Sequence, residues 1–235
     1  MVIASERWIS WFQKKVRIKS VCLIVVASLL VATAPKGSAE EAPVYHCHDN
    51  QEMKIALTFD DGPHPHQTPR ILDILNAHGI KATFFIVGEN AVNYPSVVER
   101  IWREGHEIGN HTFSHDKIDV QEIESCENVI YELTEHKTKL FRPPQGFIDS
   151  TVKSASSHLG YEIILWSIDT KDWARTPPTT IIQNVLNNLE AGSIILMHDY
   201  IGYNSPTPEA LEMLIPRIKE QGYHFVTVSE LLGTK

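Results

Sequence analysis

Ile55-Ala56-Leu57-Thr58-Phe59-Asp60-Asp61-Gly62-Pro63 passes from an apolar strand signal straight into two carboxylates and a turn. The turn is unsurprising by itself, because Asp, Gly and Pro all favour tight turns. Two adjacent carboxylates at a strand end repel each other, however, unless a cation or a strong donor lies between them. A metal held by one, with the other left free as a base, resolves that repulsion.

The same arrangement recurs downstream. Apolar or β-branched runs occupy 55–59, 82–87, 107–110, 140–142, 162–167, 193–197 and 225–228. The third leads into His111-Thr112-Phe113-Ser114-His115 and the fourth, through Arg142, into Pro143-Pro144-Gln145-Gly146. The fifth leads through Trp166 to Asp169, Asp172 and Trp173, and the sixth into His198-Asp199. Helical patterns lie between, near 68–78, 94–104, 120–136, 151–159, 180–189 and 206–221. Gly79, Gly105, Gly160 and Gly222 each follow one, where a left-handed cap is expected. Alternating strands and helices predict an α/β fold with parallel strands and crossover helices. Ionisable residues gathered past the carboxyl ends of five strands favour a distorted (β/α) barrel of about seven parallel strands, with an open sheet second. No repeat or low-complexity linker divides the region, so a single domain is expected over 54–235.

Residues 1–39 read differently. Lys14, Lys15, Arg17 and Lys19 precede an apolar stretch, 21–34, and then the small residues Gly37-Ser38-Ala39. That order is the layout of a secretory signal peptide. Its apolar run is shorter than the roughly 20 residues a spanning helix needs, so cleavage is favoured over an uncleaved membrane anchor. A secreted or cell-envelope protein, periplasmic or extracellular, is expected, with 40–53 as a short leader. Contact with a membrane is expected only through an uncleaved segment. Residues 1–39 hold six of the 21 Lys+Arg and one of the 29 Asp+Glu, so the remainder carries net charge −13. Nucleic acid is an unsuitable partner for so acidic a domain, whereas a neutral or partly cationic glycan is not repelled. Cys47 and Cys126 leave one disulfide open as an even choice. His46-Cys47-His48-Asp49 reads as a solvated segment rather than a metal site, since neighbours on an extended chain face opposite ways.

His111 and His115, spaced i and i+4, share a face if the segment turns helically after its strand. Two imidazoles and one carboxylate leave open positions on a metal, as catalytic zinc sites do. The same donor set matches the facial triad of non-haem iron oxygenases.

Five motifs in order resemble the polysaccharide deacetylases of carbohydrate esterase family 4, the NodB-homology domain. They are Thr58-Phe59-Asp60-Asp61-Gly62-Pro63, His111-Thr112-Phe113-Ser114-His115, Arg142-Pro143-Pro144-Gln145-Gly146, Asp169-Thr170-Lys171-Asp172-Trp173 and Leu196-Met197-His198. The resemblance spans about 54 to 232, and the first two motifs are the most specific. It implies a distorted barrel and hydrolysis of the N-acetyl group of N-acetylglucosamine-type residues. The implied substrate is an N-acetylated glycan: a chitin-like polymer, peptidoglycan or poly-N-acetylglucosamine. Asp61, His111 and His115 would hold a divalent metal, Zn²⁺ ahead of Co²⁺ or Ni²⁺. Asp60 would act as general base and His198 as general acid. Arg142 would orient Asp60, and Asp172 would raise the pKa of His198. The Gln145 backbone N–H would face the oxyanion, and Trp173 and Leu196 would wall the acetyl methyl. Gln145 departs from the family, which usually has Tyr there; the departure bears on substrate contacts, because any non-proline residue keeps the N–H. The alternatives are an amidase on a small cyclic amide, a catalytically silent glycan-binding module and an oxygenase. Intact Asp60, Asp61, His111, His115 and His198 weigh against the silent module. The oxygenase leaves Asp60, Arg142 and His198 without a purpose.

Overall fold

The computed structural model describes residues 41–48, 52–202 and 204–234. The expected signal peptide therefore lies outside the described residues, as does part of the leader. Among the described residues no helix is long and apolar enough to cross a membrane.

Among the described residues, nine strands form one sheet: β1 (Val44–Tyr45), β2 (Lys54–Asp60), β3 (Thr83–Ile86), β4 (Glu107–Asn110), β5 (Leu140–Phe141), β6 (Glu162–Ile164), β7 (Ile168–Asp169), β8 (Ile194–His198) and β9 (His224–Val226). The order is β1-β6-β5-β4-β3-β2-β8-β7, with β9 added to the lower half of β2. All the paired strands are parallel. The helices are α1 (Gln67–Ala77), α2 (Gly88–Asn93), α3 (Pro95–Arg103), α4 (Val120–Thr134), α5 (Ser150–Leu159), α6 (Pro178–Asn188), α7 (Thr207–Glu220) and α8 (Val228–Leu232).

The chain closes the sheet in an unusual way. β6 pairs with β5 and β1, whereas β7, three residues further on, pairs with β8. One segment, 162–169, thus bridges both edges and curls the sheet into a distorted barrel. The expected barrel is present, but the single strand foreseen at 162–167 is divided in two by this change of partner.

Side-chain alternation along the strands sorts the core into an outer and an inner set. On β2, Ile55, Leu57 and Phe59 face outward and pack with Ile71, Leu72 and Leu75 of α1. Ala56 faces inward, with Phe85, Leu140, Ile164 and Ile194. A strand buried on both faces reads as a continuous apolar run, which is why β2, β3 and β8 stand out in the sequence. Val228 and Leu231 of α8 join the inner set and plug the amino end of the barrel. Gly109 is required where β4 passes the Phe85 ring, because a Cβ there would lie 2.4 Å from it.

Helix termini follow the local chemistry. Asp119 and Asp149 cap α4 and α5 through Glu122 N at 2.9 Å and Val152 N at 2.8 Å. Thr227 and Glu230 form a capping box on α8, which ends the strand expected through 228 at Val226 instead. Gly79, Gly105, Gly160 and Gly222 all take positive φ, as their positions suggest. Part of the expected leader belongs to the sheet: Val44 and Tyr45 pair with β6, and His48 N donates to Gly192 O at 3.0 Å. The disulfide is absent. Cys47 is exposed, while buried Cys126 directs its thiol at Ile86 O, 3.3 Å away.

Candidate active site

All the sequence-derived site residues gather at the carboxyl end of the barrel. A cavity of about 490 Å³ is lined by Asp60, Asp61, His111, His115, Gln145, Trp173, Leu196 and His198. Arg142 and Asp172 lie behind the lining and are fully buried. Trp166 and Asp169 complete the wall.

Strand geometry places the centre. Asp60, the last residue of β2, is in register with His198, the last of β8. Asp61 then takes φ 74°, a left-handed conformation, which swings its carboxylate away from that of Asp60. Gly62 is needed next, because a Cβ there would fall 2.1 Å from the Asp199 carboxylate. The two aspartates acquire different partners. Asp60 Oδ1 accepts from Arg142 at 2.7 Å, and its Oδ2 lies 3.9 Å from His111 Nε2. Asp61 Oδ1 lies 3.4 Å from His111 Nε2 and 3.3 Å from His115 Nε2.

His111 Nδ1 lies 2.6 Å from the Arg142 carbonyl oxygen. A carbonyl only accepts, so Nδ1 carries the proton and Nε2 of the neutral ring presents a lone pair to Asp61. A carboxylate oxygen and two imidazole nitrogens then converge, all within 4.8 Å of one another. Ligands bound tetrahedrally at roughly 2.0–2.1 Å sit about 3.3 Å apart, so the observed 3.3 and 3.4 Å suit a small divalent cation. Burial works against charge on His111, but Asp60 and Asp61 outweigh it and draw its pKa upward. The same negative potential would attract a cation. Burial raises the Asp61 carboxyl, yet the hydrogen bond and charge of His111 bring it below the usual range.

His111 and His115 do not converge by a helical turn, as the i, i+4 spacing suggested. The segment is irregular, and Thr112 and His115 take φ 67° and 63°. The N–H groups of Gly88 and Glu89, at the start of α2, donate to the Thr112 and Phe113 carbonyls at 3.0 and 2.9 Å. Glu122 accepts from Ser114 N at 2.7 Å and Ser114 Oγ at 2.8 Å. Gln145 also takes positive φ, 58°. Positive φ at Asp61, His115 and Gln145, which line the cavity, and at buried Thr112 beside His111 places backbone strain at the site. Such strain persists where surrounding contacts over-determine it, and it is common at functional sites.

Arg142 spans the barrel interior. Its Nε donates to Ile164 O at 3.0 Å, Nη1 to Thr58 Oγ1 at 2.8 Å and Nη2 to Leu165 O at 2.9 Å. The guanidinium also lies over the Phe85 ring, 4.0 Å from its centroid. Opposite, Asp172 is saturated. Oδ1 accepts from Trp173 N at 2.9 Å and meets His198 Nδ1 at 2.8 Å. Oδ2 accepts from His198 N at 2.8 Å and Thr207 Oγ1 at 2.6 Å. Burial alone would lower the His198 pKa; Asp172, with Asp60 and Asp61 behind it, lifts it to about 9.

Sequence reasoning missed Thr207 and Trp166. Thr207 carries no motif signal, since a Thr opening a helix normally reads as a cap. Trp166 packs 2.8 Å from where a Gly146 Cβ would lie and reads as core. Asp169 accepts from Lys171 N at 2.8 Å, an Asx-turn, and lies 3.4 Å from Trp173 Nε1.

A parallel barrel whose mouth holds an Asp-His-His donor set, an Arg-bound carboxylate and a carboxylate-backed imidazole has the makings of a hydrolase. The chain belongs to the polysaccharide deacetylase family, whose profile matches residues 48–164. A peptidoglycan-N-acetylglucosamine deacetylase of Bacillus cereus is 42% identical over 194 residues, 79% of this chain and 91% of the relative. A chitooligosaccharide deacetylase of Sinorhizobium fredii is 33% identical over 187 residues, 72% and 87% of the two chains. The solved structure of the Bc1960 peptidoglycan N-acetylglucosamine deacetylase superposes with TM-score 0.77 at 38% identity, covering 80% of this chain and 92% of that one. A family 4 pseudoenzyme from Bacillus anthracis gives TM-score 0.75 at 30% identity, covering 80% and 68%.

Proposed function

We propose that the protein removes the acetyl group from N-acetylglucosamine units of a polysaccharide, with peptidoglycan ahead of chitin-like polymers and poly-N-acetylglucosamine. Relatives that act on peptidoglycan at 42% identity support that order. Export by the amino-terminal signal, to the cell envelope or beyond, accords with such a substrate. The observation that carries the reading is the division of labour between adjacent aspartates: Asp61 between two imidazoles, Asp60 on a guanidinium.

Asp61, His111 and His115 would hold a divalent cation, Zn²⁺ by donor type. When bound, the cation supplies Lewis acidity, activating water and polarising the acetamide carbonyl. Asp60 Oδ2, the oxygen that Arg142 leaves free, takes the proton as water attacks the carbonyl carbon. Arg142 fixes the carboxylate against rotation through Oδ1. The Gln145 N–H, turned by its left-handed backbone, stabilises the developing oxyanion. His198 is protonated at neutral pH, since its pKa stands at about 9. Its Nδ1–H is engaged by Asp172, so Nε2–H is the proton given to the departing sugar nitrogen. The C–N bond breaks to acetate and a free amine. Leu196, buried, and Trp173, 54% exposed, both line the cavity and close around the acetyl methyl.

Fold likeness to a pseudoenzyme keeps a silent glycan-binding module as the second reading, and one assay separates the two. Purified protein with Zn²⁺ should release acetate from N-acetylchitooligosaccharides and peptidoglycan. Asp60→Asn should abolish release with metal content unchanged, whereas His111→Ala should lower the metal content measured by elemental analysis. No acetate release by the metal-loaded, folded protein would overturn the deacetylase reading and favour the binding module over it.

A further inference from the structure

The amino end of the barrel carries a second concavity, of about 600 Å³. It is bounded by the starts of β4, β5 and β6 and the first residues of α8, so it opens at the end opposite to Asp60 and His198. Its volume falls within the roughly 300–1,000 Å³ typical of small-molecule sites.

Its buried wall is His106, 1% exposed. His106 Nδ1 accepts the Ala82 N–H at 3.2 Å, so the proton of the neutral ring is on Nε2. Burial, reinforced by Lys81, pushes this imidazole down to about 4, so it is a neutral donor at physiological pH. Among the described residues, neither His106 Nε2 nor Glu162 Oε2 has a hydrogen-bond partner, although both atoms are buried. Leaving a buried donor or acceptor unpaired is costly, so a polar occupant that draws either atom to the cavity surface gains a hydrogen bond that the protein alone does not supply. At the rim, Trp102 stacks on His136 with centroids 4.7 Å apart and is 37% exposed.

The chemistry of the lining narrows the ligand class. Glu107 and Glu162 are balanced by Lys137 and Lys139. An anion would meet two carboxylates, and a cation would meet two ammonium groups and an imidazole N–H. An uncharged ligand rich in hydroxyls both gives to Glu162 and takes from His106 and the lysines. Trp102, with one face taken by His136, is the aromatic at the mouth available to a pyranose ring.

We propose that this cavity is a second saccharide site, which holds an uncharged N-acetylated sugar segment of the polymer far from the unit being cleaved. The proposal rests on the deacetylase reading only for the identity of the sugar.

The test is a titration of the ¹⁵N-labelled full chain with tri-N-acetylchitotriose, followed by amide and imidazole shifts. Signals of His106, Ile108 and Lys139 should move with their own saturation curve, distinct from signals near Asp60. Trp102→Ala and Glu162→Gln should each weaken that curve roughly tenfold and leave the Asp60-side curve unchanged. Trp102→Ala should also raise KM for insoluble polymer with kcat for the trisaccharide intact. Cavity signals that stay still at millimolar trisaccharide, or that saturate equally in both variants, overturn the proposal. If acetate release fails while the cavity still saturates, the deacetylase reading falls and the saccharide site stands.

Discussion

Replacing Asp172 by Asn removes the charge behind His198 and preserves side-chain size. In the native protein the His198 pKa stands at about 9 against an ordinary 6.5. That is a preference of roughly 3 kcal/mol for the imidazolium, at about 1.4 kcal/mol per unit. Burial, which opposes the charge, persists in the variant, so the pKa should fall to 6.5 or below. At pH 7.5 the protonated fraction then drops from nearly all to about a tenth or less. Acetate release from N-acetylchitooligosaccharides, measured from pH 5.5 to 10, should show kcat/KM down at least about tenfold at pH 7.5. The alkaline limb should move from near pH 9 to near 6.5, and activity should recover toward pH 6. Each Asp172 oxygen faces a backbone N–H, of Trp173 or of His198. Either amide orientation therefore sets one N–H against the Asn NH₂ group, costing about 1–3 kcal/mol of stability. Circular dichroism at the assay temperature checks that the variant is folded. An alkaline limb still near pH 9 in a folded variant would refute the assignment of His198 as the acid. The same raised pKa makes the His198–Asp172 pair fully stabilising below pH 6.5, with the contribution lost as pH rises through about 9.

Asp199→Asn should stabilise the protein at pH 8 by up to a few kcal/mol and leave Tm almost unchanged near pH 4. Burial lifts the Asp199 carboxyl from an ordinary 3.8 to about 7, so the native state loses stability progressively as pH rises between those values and bears the full penalty above about 7; equal Tm shifts at both values would contradict this. Gly62→Ala should abolish acetate release and lower Tm, because the new methyl displaces the Asp199 carboxylate, and full activity would show that the turn tolerates the shift. Leu231→Ala should cost about 2–5 kcal/mol in urea denaturation, since Leu231 helps plug the barrel, with kcat unchanged at the opposite end.

The sequence was most legible where one physical rule acted alone. Continuous apolar runs marked β2, β3 and β8 because both faces are buried. Glycines marked four helix ends because positive φ excludes most other residues. The site was legible because chemistry placed ionisable residues at strand ends, where the five motifs are local. What stayed hidden depended on distant partners. β1 has two residues, and only its contact with β6 makes it a strand. The break between β6 and β7 is a change of neighbour, which no periodicity records. α2 and α8, of six and five residues, are too short for a helical period to emerge. His115 reaches Asp61 through a left-handed backbone rather than a helical turn, a conformation that spacing cannot reveal. Thr207 comes to Asp172 from 35 residues away.

The segment 162–169 leaves the barrel with two independently registered arcs. One arc, from β6 through β5 to β4, carries Arg142 and the loop of His111 and His115; the other, β7 with β8, carries Asp172 and His198. They are stitched together through the five paired positions of β2 and β8, which end at Asp60 and His198. Leu165 N donates to Tyr45 O at 2.7 Å and Ser167 N to Ile194 O at 3.0 Å, so the 165–167 step fastens the two arcs to each other on the Trp166 side, as that stitch does on the side of Asp60.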